Sequence, residues 1–555
     1  MDISSSTRFI SRRSPVITRG AMVASSQPLA TQAGVNVLSI GGSAADAAIA
    51  VAAMLNVTQP CSTGLGGDCF CLYYNASERA VLALNGSGRS AAGLTLDRVR
   101  GEGHTDRLPR RHAYTVTVPG APAAWYDVHE RLGRLPLARV LAPAIRLAEE
   151  GFPVAPLTSM WWQAGADEAL KGRAHGGEML TEGRAPGPGE IIALPTLAAS
   201  LRTLAEEGKA PFYTGAIAER IVSAVRAEGG ELSLEDLADH DSEWVDPIST
   251  DYRGYRVYQC PPNGHGLAAL LALNIAREFD MREFPPETTE RYHLLIECMR
   301  LAFADSAWYV ADPALSPAPL DQLLSKDYAV RRSRGIDPTR ANRAVRRGQP
   351  EGPNPGSDTV YFCAVDGEGN GCSFINSTFL SFGSGIVPEG CGYTLQNRGL
   401  CFRLEPDHPN RLAPRKRPYH TIIPGLCTRP HGGRSADASR AGDLHATFGV
   451  MGGMMQPQGH LQVVSGLIDD ALDPQAALDR ARFQLEDGAG EAPVLVEGAV
   501  SPEVLKGLGD RGHEPRIVSG AERHRFGLGQ IILTDSSGVL WAGSDPRGDG
   551  CAGGF

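Results

Sequence analysis

Apolar residues recur every three or four positions in two neighbouring segments, "LATQAGVNVLSI" (29–40) and "AADAAIAVAAML" (44–55), and this spacing predicts two helices. The short apolar and aromatic runs that follow, "FCLYY" (70–74) and "AVLAL" (80–84), predict strands. From about Ala121 to Asp312 the pattern is mostly helical, and "RYHLLIECMRLAFADSAWYV" (291–310) is the longest helix candidate. Residues 331–347 are then dense in arginine, and "GQPEGPNPGSD" (348–358) holds three prolines and three glycines, so this stretch reads as an exposed, irregular linker. Beyond it the chain turns β-rich, with strands predicted at "TVYFCAV" (359–365), "GCSFINS" (371–377), "HATFGV" (445–450), "QIILTD" (530–535) and "VLWAG" (539–543). A second irregular insert, 428–443, reads as a surface loop. No internal repeat is evident. The most apolar helix carries Asp46 and is too short to cross a bilayer, so no membrane segment is predicted.

Composition narrows the class. A chain of 555 residues with 42% hydrophobic content buries large cores without disulfides or metals, and length alone suggests three or four domains. The net charge of −10 argues against a nucleic-acid partner, and the arginine run lacks interleaved aromatics, as a solvated linker does. Eleven cysteines, an odd number with no C-x-x-C pair, predict buried reduced thiols in a cytoplasmic protein, with Cys69 and Cys71 as core residues. The first twenty residues hold no apolar run long enough for a signal peptide. There is no phosphate-loop pattern and no G-x-S-x-G elbow, and neither "GLGGDCF" nor "SFGSGIV" fits a dinucleotide fingerprint. No metal-ligand set stands out; His293 and Glu297 share a helical face, a pairing read as structural. Neither a metal nor a cofactor is expected.

The chemistry centres on Thr359. A β-branched residue at the start of a half-buried strand is ordinary in itself. Here, however, the hydroxyl stands where a cuttable Pro/Gly loop meets an apolar strand, which is where a latent nucleophile belongs. A neutral hydroxyl reacts poorly, and cutting the chain before it supplies its own freed α-amine as base. Such an amine titrates at about 7.7 to 8.0, so a substantial fraction is neutral near physiological pH and no histidine is needed. The hydroxyl makes the cut by attacking the carbonyl of Asp358, forming an ester that water resolves. Ser377, in "FINSTF", offers a supporting hydroxyl on the return strand. "HATFGVMGGMMQPQGHLQVV" reads as a strand, a turn at Gly452 and Gly453, and a helix, whose free N–H groups suit an oxyanion.

These residues resemble a known family. "GGSAADAAIAVAAMLNVTQPCSTGLGGDCF" (41–70) is similar to the N-terminal hallmark of the γ-glutamyltransferase (glutathione hydrolase) family, and "DTVYFCAVDGEGN", "FGSGIV", "KRPYHTIIP" and "GVMGGMMQPQGHLQ" match its small-subunit blocks in order. The resemblance spans nearly the whole chain. It implies an α/β N-terminal-nucleophile hydrolase, an αββα four-layer sandwich formed from a self-cleaving precursor. The subunits would be residues 1–358 and 359–555, associated as a heterodimer. Carried over by position, Thr359 is the nucleophile, Ser377 the supporting hydroxyl and Gly452–Gly453 the oxyanion hole.

The substrate residues depart from the family pattern. Its D-F-R-E segment becomes "NGSGRS", where Arg89 is the available carboxylate-binding arginine. The asparagine two positions beyond the supporting hydroxyl is Phe379. The N-N-Q-x-x-D segment that grips an α-amino group becomes "QNRGLC", with Arg398 for glutamine and Cys401 for the acid, and a serine pair becomes His420-Thr421. Losing a carboxylate removes a partner for an ammonium, while a gained arginine favours an anion. The segment between Cys401 and Lys416 is shorter than the family's lid region, which implies a more open pocket. The departures resemble the branch that includes oxamate amidohydrolase. The expected reaction is hydrolysis or transfer of γ-glutamyl groups from small amides to water or an amine. The alternatives are hydrolysis of another acyl amide, such as oxamate or a dicarboxylic side chain, and a non-catalytic binding relative.

Overall fold

In the strand Asp358–Val365, successive side chains leave on opposite sides, and both sides are apolar. Val360, Phe362 and Ala364 join a core shared with helices, while Tyr361, Cys363 and Val365 join a second core. A strand buried on both faces belongs inside a layered stack. The computed structural model, which describes residues 13–345, 358–431, 441–486 and 492–555, has two seven-stranded antiparallel sheets packed face to face. In order, one sheet runs Cys551–Gly554, Met22–Ser25, Asp358–Val365, Gly371–Phe379, Asp68–Asn75, Ala80–Gly86 and Glu243–Val245. The other runs Val16–Thr18, Leu540–Ser544, Leu528–Thr534, Asp443–Met451, Gly425–Arg429, Tyr255–Gln259 and Ile248–Tyr252.

Helices Pro28–Ser39, Ala44–Thr58, Ala121–Leu132 and Leu137–Glu150 cover the first sheet, and Gly266–Arg277, Thr289–Tyr309 and Met455–Ile468 cover the second. The result is the αββα sandwich the resemblance implied. Helix Ala44–Thr58 is buried along its whole length and begins with a reciprocal capping box between Ser43 and Asp46. Both sheets draw strands from either side of residue 358, so a cut there divides the chain without dividing the fold.

Two differences from the sequence reading stand out. The region read as mostly helical contains the hairpin Ile248–Tyr252 and Tyr255–Gln259, whose two-residue turn puts Arg253 and Gly254 at positive φ. Arginine is not a usual turn residue there; its guanidinium is held by Asp469 and by the carbonyls of Arg277 and Phe279. In addition, the described part of the arginine-dense segment is tied down. Asp337 O accepts from His293 Nε2, Asn342 N donates to Glu297, and Arg343 pairs with Glu514. The Pro/Gly stretch 346–357 and residues 432–440 of the second insert lie outside the described residues. All eleven cysteines are free, nine of them buried. Among the described residues no helix is long and apolar enough to cross a membrane.

Candidate active site

Thr359 is fully buried on the side of its strand that faces the other sheet. The ladder to Gly371–Phe379 slips here: Asp358 pairs with Phe379 but Val360 with Asn376, so Thr359 opposes both Ser377 and Thr378. Such bulges redirect side chains next to active sites. The consequence is a hydrogen bond from Thr359 Oγ1 to Ser377 Oγ at 3.1 Å. Ser377 Oγ also accepts from the amide of Phe379 (2.9 Å) and from Arg398 Nη2 (3.3 Å). Any negative charge developing on Thr359 Oγ1 therefore lies two hydrogen bonds from a buried cation.

Arg398 is itself fully buried, donates from Nη1 to Thr421 Oγ1 at 2.7 Å, and has its guanidinium carbon 4.2 Å from the centroid of the Phe379 ring. Phe379 holds the left-handed conformation, φ 80°, a costly state for a bulky residue that the surrounding contacts must enforce. Among the described residues no carboxylate forms an ion pair with Arg398. Cys401 adjoins it, and burial raises that thiol so that it stays neutral despite the arginine. A desolvated cation without a counter-charge costs several kcal/mol, about what a binding anion would offset.

His420 takes no part in the hydroxyl cluster. Its Nε2 faces Asp68 Oδ2 at 3.0 Å, and burial holds the imidazole well below its ordinary pKa, hence neutral. Asp68 pairs directly with Ser377 across the ladder, and its Oδ1 accepts from Gly88 N, Gly120 N and Gln396 Nε2. The glycines before Asp68 have a steric reason: a Cβ on Gly67 would lie 2.3 Å from the Ser377 carbonyl oxygen. Sequence reading missed Asp68 and Gln396 as site residues. The aspartate ends the quoted "GLGGD" run, but only strand register puts it beside Ser377.

The turn at Gly452 and Gly453 has φ of 130° and 59° and leads into helix Met455–Ile468. Among the described residues the amides of Gly452, Gly453 and Met454 donate to no acceptor. The turn adjoins the Thr421 loop, since Ile423 N donates to Gln456 Oε1 at 2.9 Å and Tyr419 Oη touches Met454 Sδ. Free N–H groups at a helix start are what a tetrahedral oxyanion needs.

Arg89 is not drawn into this cluster. Its Nη2 pairs with Glu243 at 2.8 Å in an open pocket lined also by His240, Asp239 and Arg415, and Glu243 is shared with Arg417. Its backbone carbonyl accepts from Val118 N. His293 and Glu297 meet His513 and Arg300 in a buried cluster. Its bonds form an ordered chain between neutral rings: Arg300 to His513 Nδ1, His513 Nε2 to His293 Nδ1, and His293 Nε2 to Asp337 O.

A two-sheet sandwich with a threonine hydroxyl at a strand start, a supporting hydroxyl and free turn amides defines an N-terminal-nucleophile hydrolase. The model of the family described as gamma-glutamyltranspeptidase matches residues 30–555, and the chain belongs to that family. It is similar to the glutathione hydrolase-like YwrD proenzyme of Bacillus subtilis, with 38% identity over 97% of this chain and 99% of that protein. The oxamate amidohydrolase proenzyme of Klebsiella pneumoniae is 31% identical over 98% of this chain and 99% of its own. The crystal structure of a cephalosporin acylase from Bacillus halodurans superposes with a TM-score of 0.89 at 43% identity, covering 100% of this chain and 99% of that one.

Proposed function

We propose that the chain is an autoprocessed threonine amidase and acyltransferase whose acyl substrates carry a carboxylate bound by Arg398. The observation that carries this reading is the buried guanidinium, with no ion-paired carboxylate among the described residues, one hydroxyl away from Thr359. In processing, Thr359 Oγ1 attacks the Asp358 carbonyl and the C–N bond breaks. Water then cleaves the resulting ester, leaving a carboxylate on residue 358 and a free amine on Thr359. In turnover the same oxygen attacks the substrate amide while the new amine takes the hydroxyl proton and passes it to the leaving nitrogen. The amides of Gly452 and Gly453 hold the oxyanion, and water or an acceptor amine releases the acyl group.

γ-Glutamyl amides qualify through their α-carboxylate, which agrees with a relative named glutathione hydrolase-like. A dicarboxylic acyl group without an α-ammonium suits the pocket better. Cys401 stands where an acid would grip the ammonium, and the carboxylate of Asp68 is already filled by Gly88, Gly120, Gln396 and His420. The relatives named oxamate amidohydrolase and cephalosporin acylase support this second reading.

A denaturing gel with N-terminal sequencing tests the processing: two fragments are expected, the smaller beginning at Thr359, and one uncut band for Thr359→Ala. An uncut wild-type chain would favour the binding-protein reading. Rates on glutaryl, γ-glutamyl and butyryl p-nitroanilides, with ammonia release from oxamate, rank the substrates. Equal rates for butyryl and glutaryl would overturn the role of Arg398.

A further inference from the structure

Asp68, at the start of its strand, is bonded to the same two segments that fix Arg398. His420, bonded to its Oδ2, precedes Thr421, which holds the guanidinium; Gln396, bonded to its Oδ1, is two residues before Arg398. Across the sheet Asp68 faces Ser377, the other partner of Arg398. Acid and base influence each other's charge but make no ion pair.

We infer that Asp68 sets the acyl specificity from behind Arg398: ionised, its carboxylate offsets the arginine's charge, and protonated, it leaves that charge to a carboxylate on the substrate. This rests on the role given to Arg398 above. Burial pushes the Asp68 carboxyl up to about 6, against the opposing pull of Arg398, Gln396 and Gly88. The other groups facing it keep one state in that range. Burial holds His420 neutral and lowers His240 to about 3, while it raises Tyr213 and Cys69 far above neutrality. A proton gained by Asp68 therefore changes the field at Arg398, and anion binding and proton uptake favour one another.

The test is the ratio of KM values for butyryl over glutaryl p-nitroanilide between pH 5.5 and 7.5, a ratio in which titration of the Thr359 amine cancels. A glutaryl carboxyl of ordinary pKa, about 4.3, stays ionised throughout. In the wild type the preference for glutaryl should fall about tenfold as pH rises, the order expected of one charge acting on another at an effective dielectric of about 20. In Asp68→Asn the preference should stay at its acid value at every pH. Asparagine keeps the shape, its Oδ1 still accepting from Gly88, Gly120 and Gln396, while its Nδ2–H meets His420 Nε2 only if the ring proton moves to Nδ1 and displaces the long bond from Ile422 N there. If that variant does not fold, the wild-type profile decides alone, and a flat profile overturns the inference. Arg398→Met separates the two readings. Loss of the preference at every pH supports the role of Arg398, and retention overturns both proposals. A preference that depends on Arg398 but not on pH overturns the role of Asp68 alone.

Discussion

Replacing Arg398 by methionine removes a charge at nearly constant volume, and the structure separates its two effects. For stability, the change loses hydrogen bonds to Thr421 and Ser377, each worth about 1.5–3 kcal/mol when charge-assisted, and a stacking contact on Phe379 worth up to about 2 kcal/mol. It also relieves several kcal/mol of desolvation, because the guanidinium is fully buried with no ion-paired carboxylate among the described residues. These opposing contributions leave the fold within about 2 kcal/mol of the wild type, which calorimetry reads as a small shift in Tm. For binding, truncating one partner of a buried charge pair costs about 2–5 kcal/mol, so kcat/KM on a glutaryl amide should fall about 30- to 5,000-fold. Arg398 also polarises Ser377, so part of any loss is shared with uncharged acyl groups, and the glutaryl-to-butyryl ratio of kcat/KM isolates the charge effect. A ratio that moves by less than about threefold would refute the claim that this guanidinium binds the substrate anion.

Other predictions address different parts of the molecule. Gly452→Ala places a Cβ 3.2 Å from Gly527 Cα at a φ that favours glycine, and displacing the turn amides should lower kcat about 10²- to 10³-fold and slow self-cleavage on a gel time course. Ser43→Ala removes the cap of helix Ala44–Thr58 and should cost about 1 kcal/mol in denaturant titrations, leaving kcat unchanged. Burial works against ionisation of Asp545 and Glu497, yet Arg482 and Arg547 beside Asp545, and Arg547 and Arg523 beside Glu497, hold both below their ordinary values. Their contribution to stability is therefore complete above their unfolded pKa values, about 3.9 and 4.3, and is lost as pH falls through the lower folded ones. The urea midpoint should fall steeply in that acid range, and less steeply in Asp545→Asn.

Much of this architecture was legible in one dimension because helices and strands carry their period in the residues themselves. Helix Thr289–Tyr309 and strands Asp68–Asn75 and Leu528–Thr534 lie where apolar spacing put them. The hairpin at Arg253 escaped because Gly254 is its one strong turn residue, and the unusual positive φ of Arg253 is stabilised by Asp469, more than two hundred residues away. Arg89 was chosen for its residue type, and only its pairing with Glu243 shows where its side chain goes.

The sequence alone determined the apolar run of the Thr359 strand, the helix-starting glycine turn and the order of family motifs, since each depends on neighbours a few residues apart; that both faces of the strand are buried came from the structure. Only the tertiary structure decided that a one-residue slip places Ser377 against Thr359, that Asp68 stands opposite Ser377, and that Arg398 is buried behind them with no ion-paired carboxylate among the described residues. The physical reason is that register, burial and electrostatic environment are properties of pairs of segments, and those pairs join only when the two sheets close on their shared core.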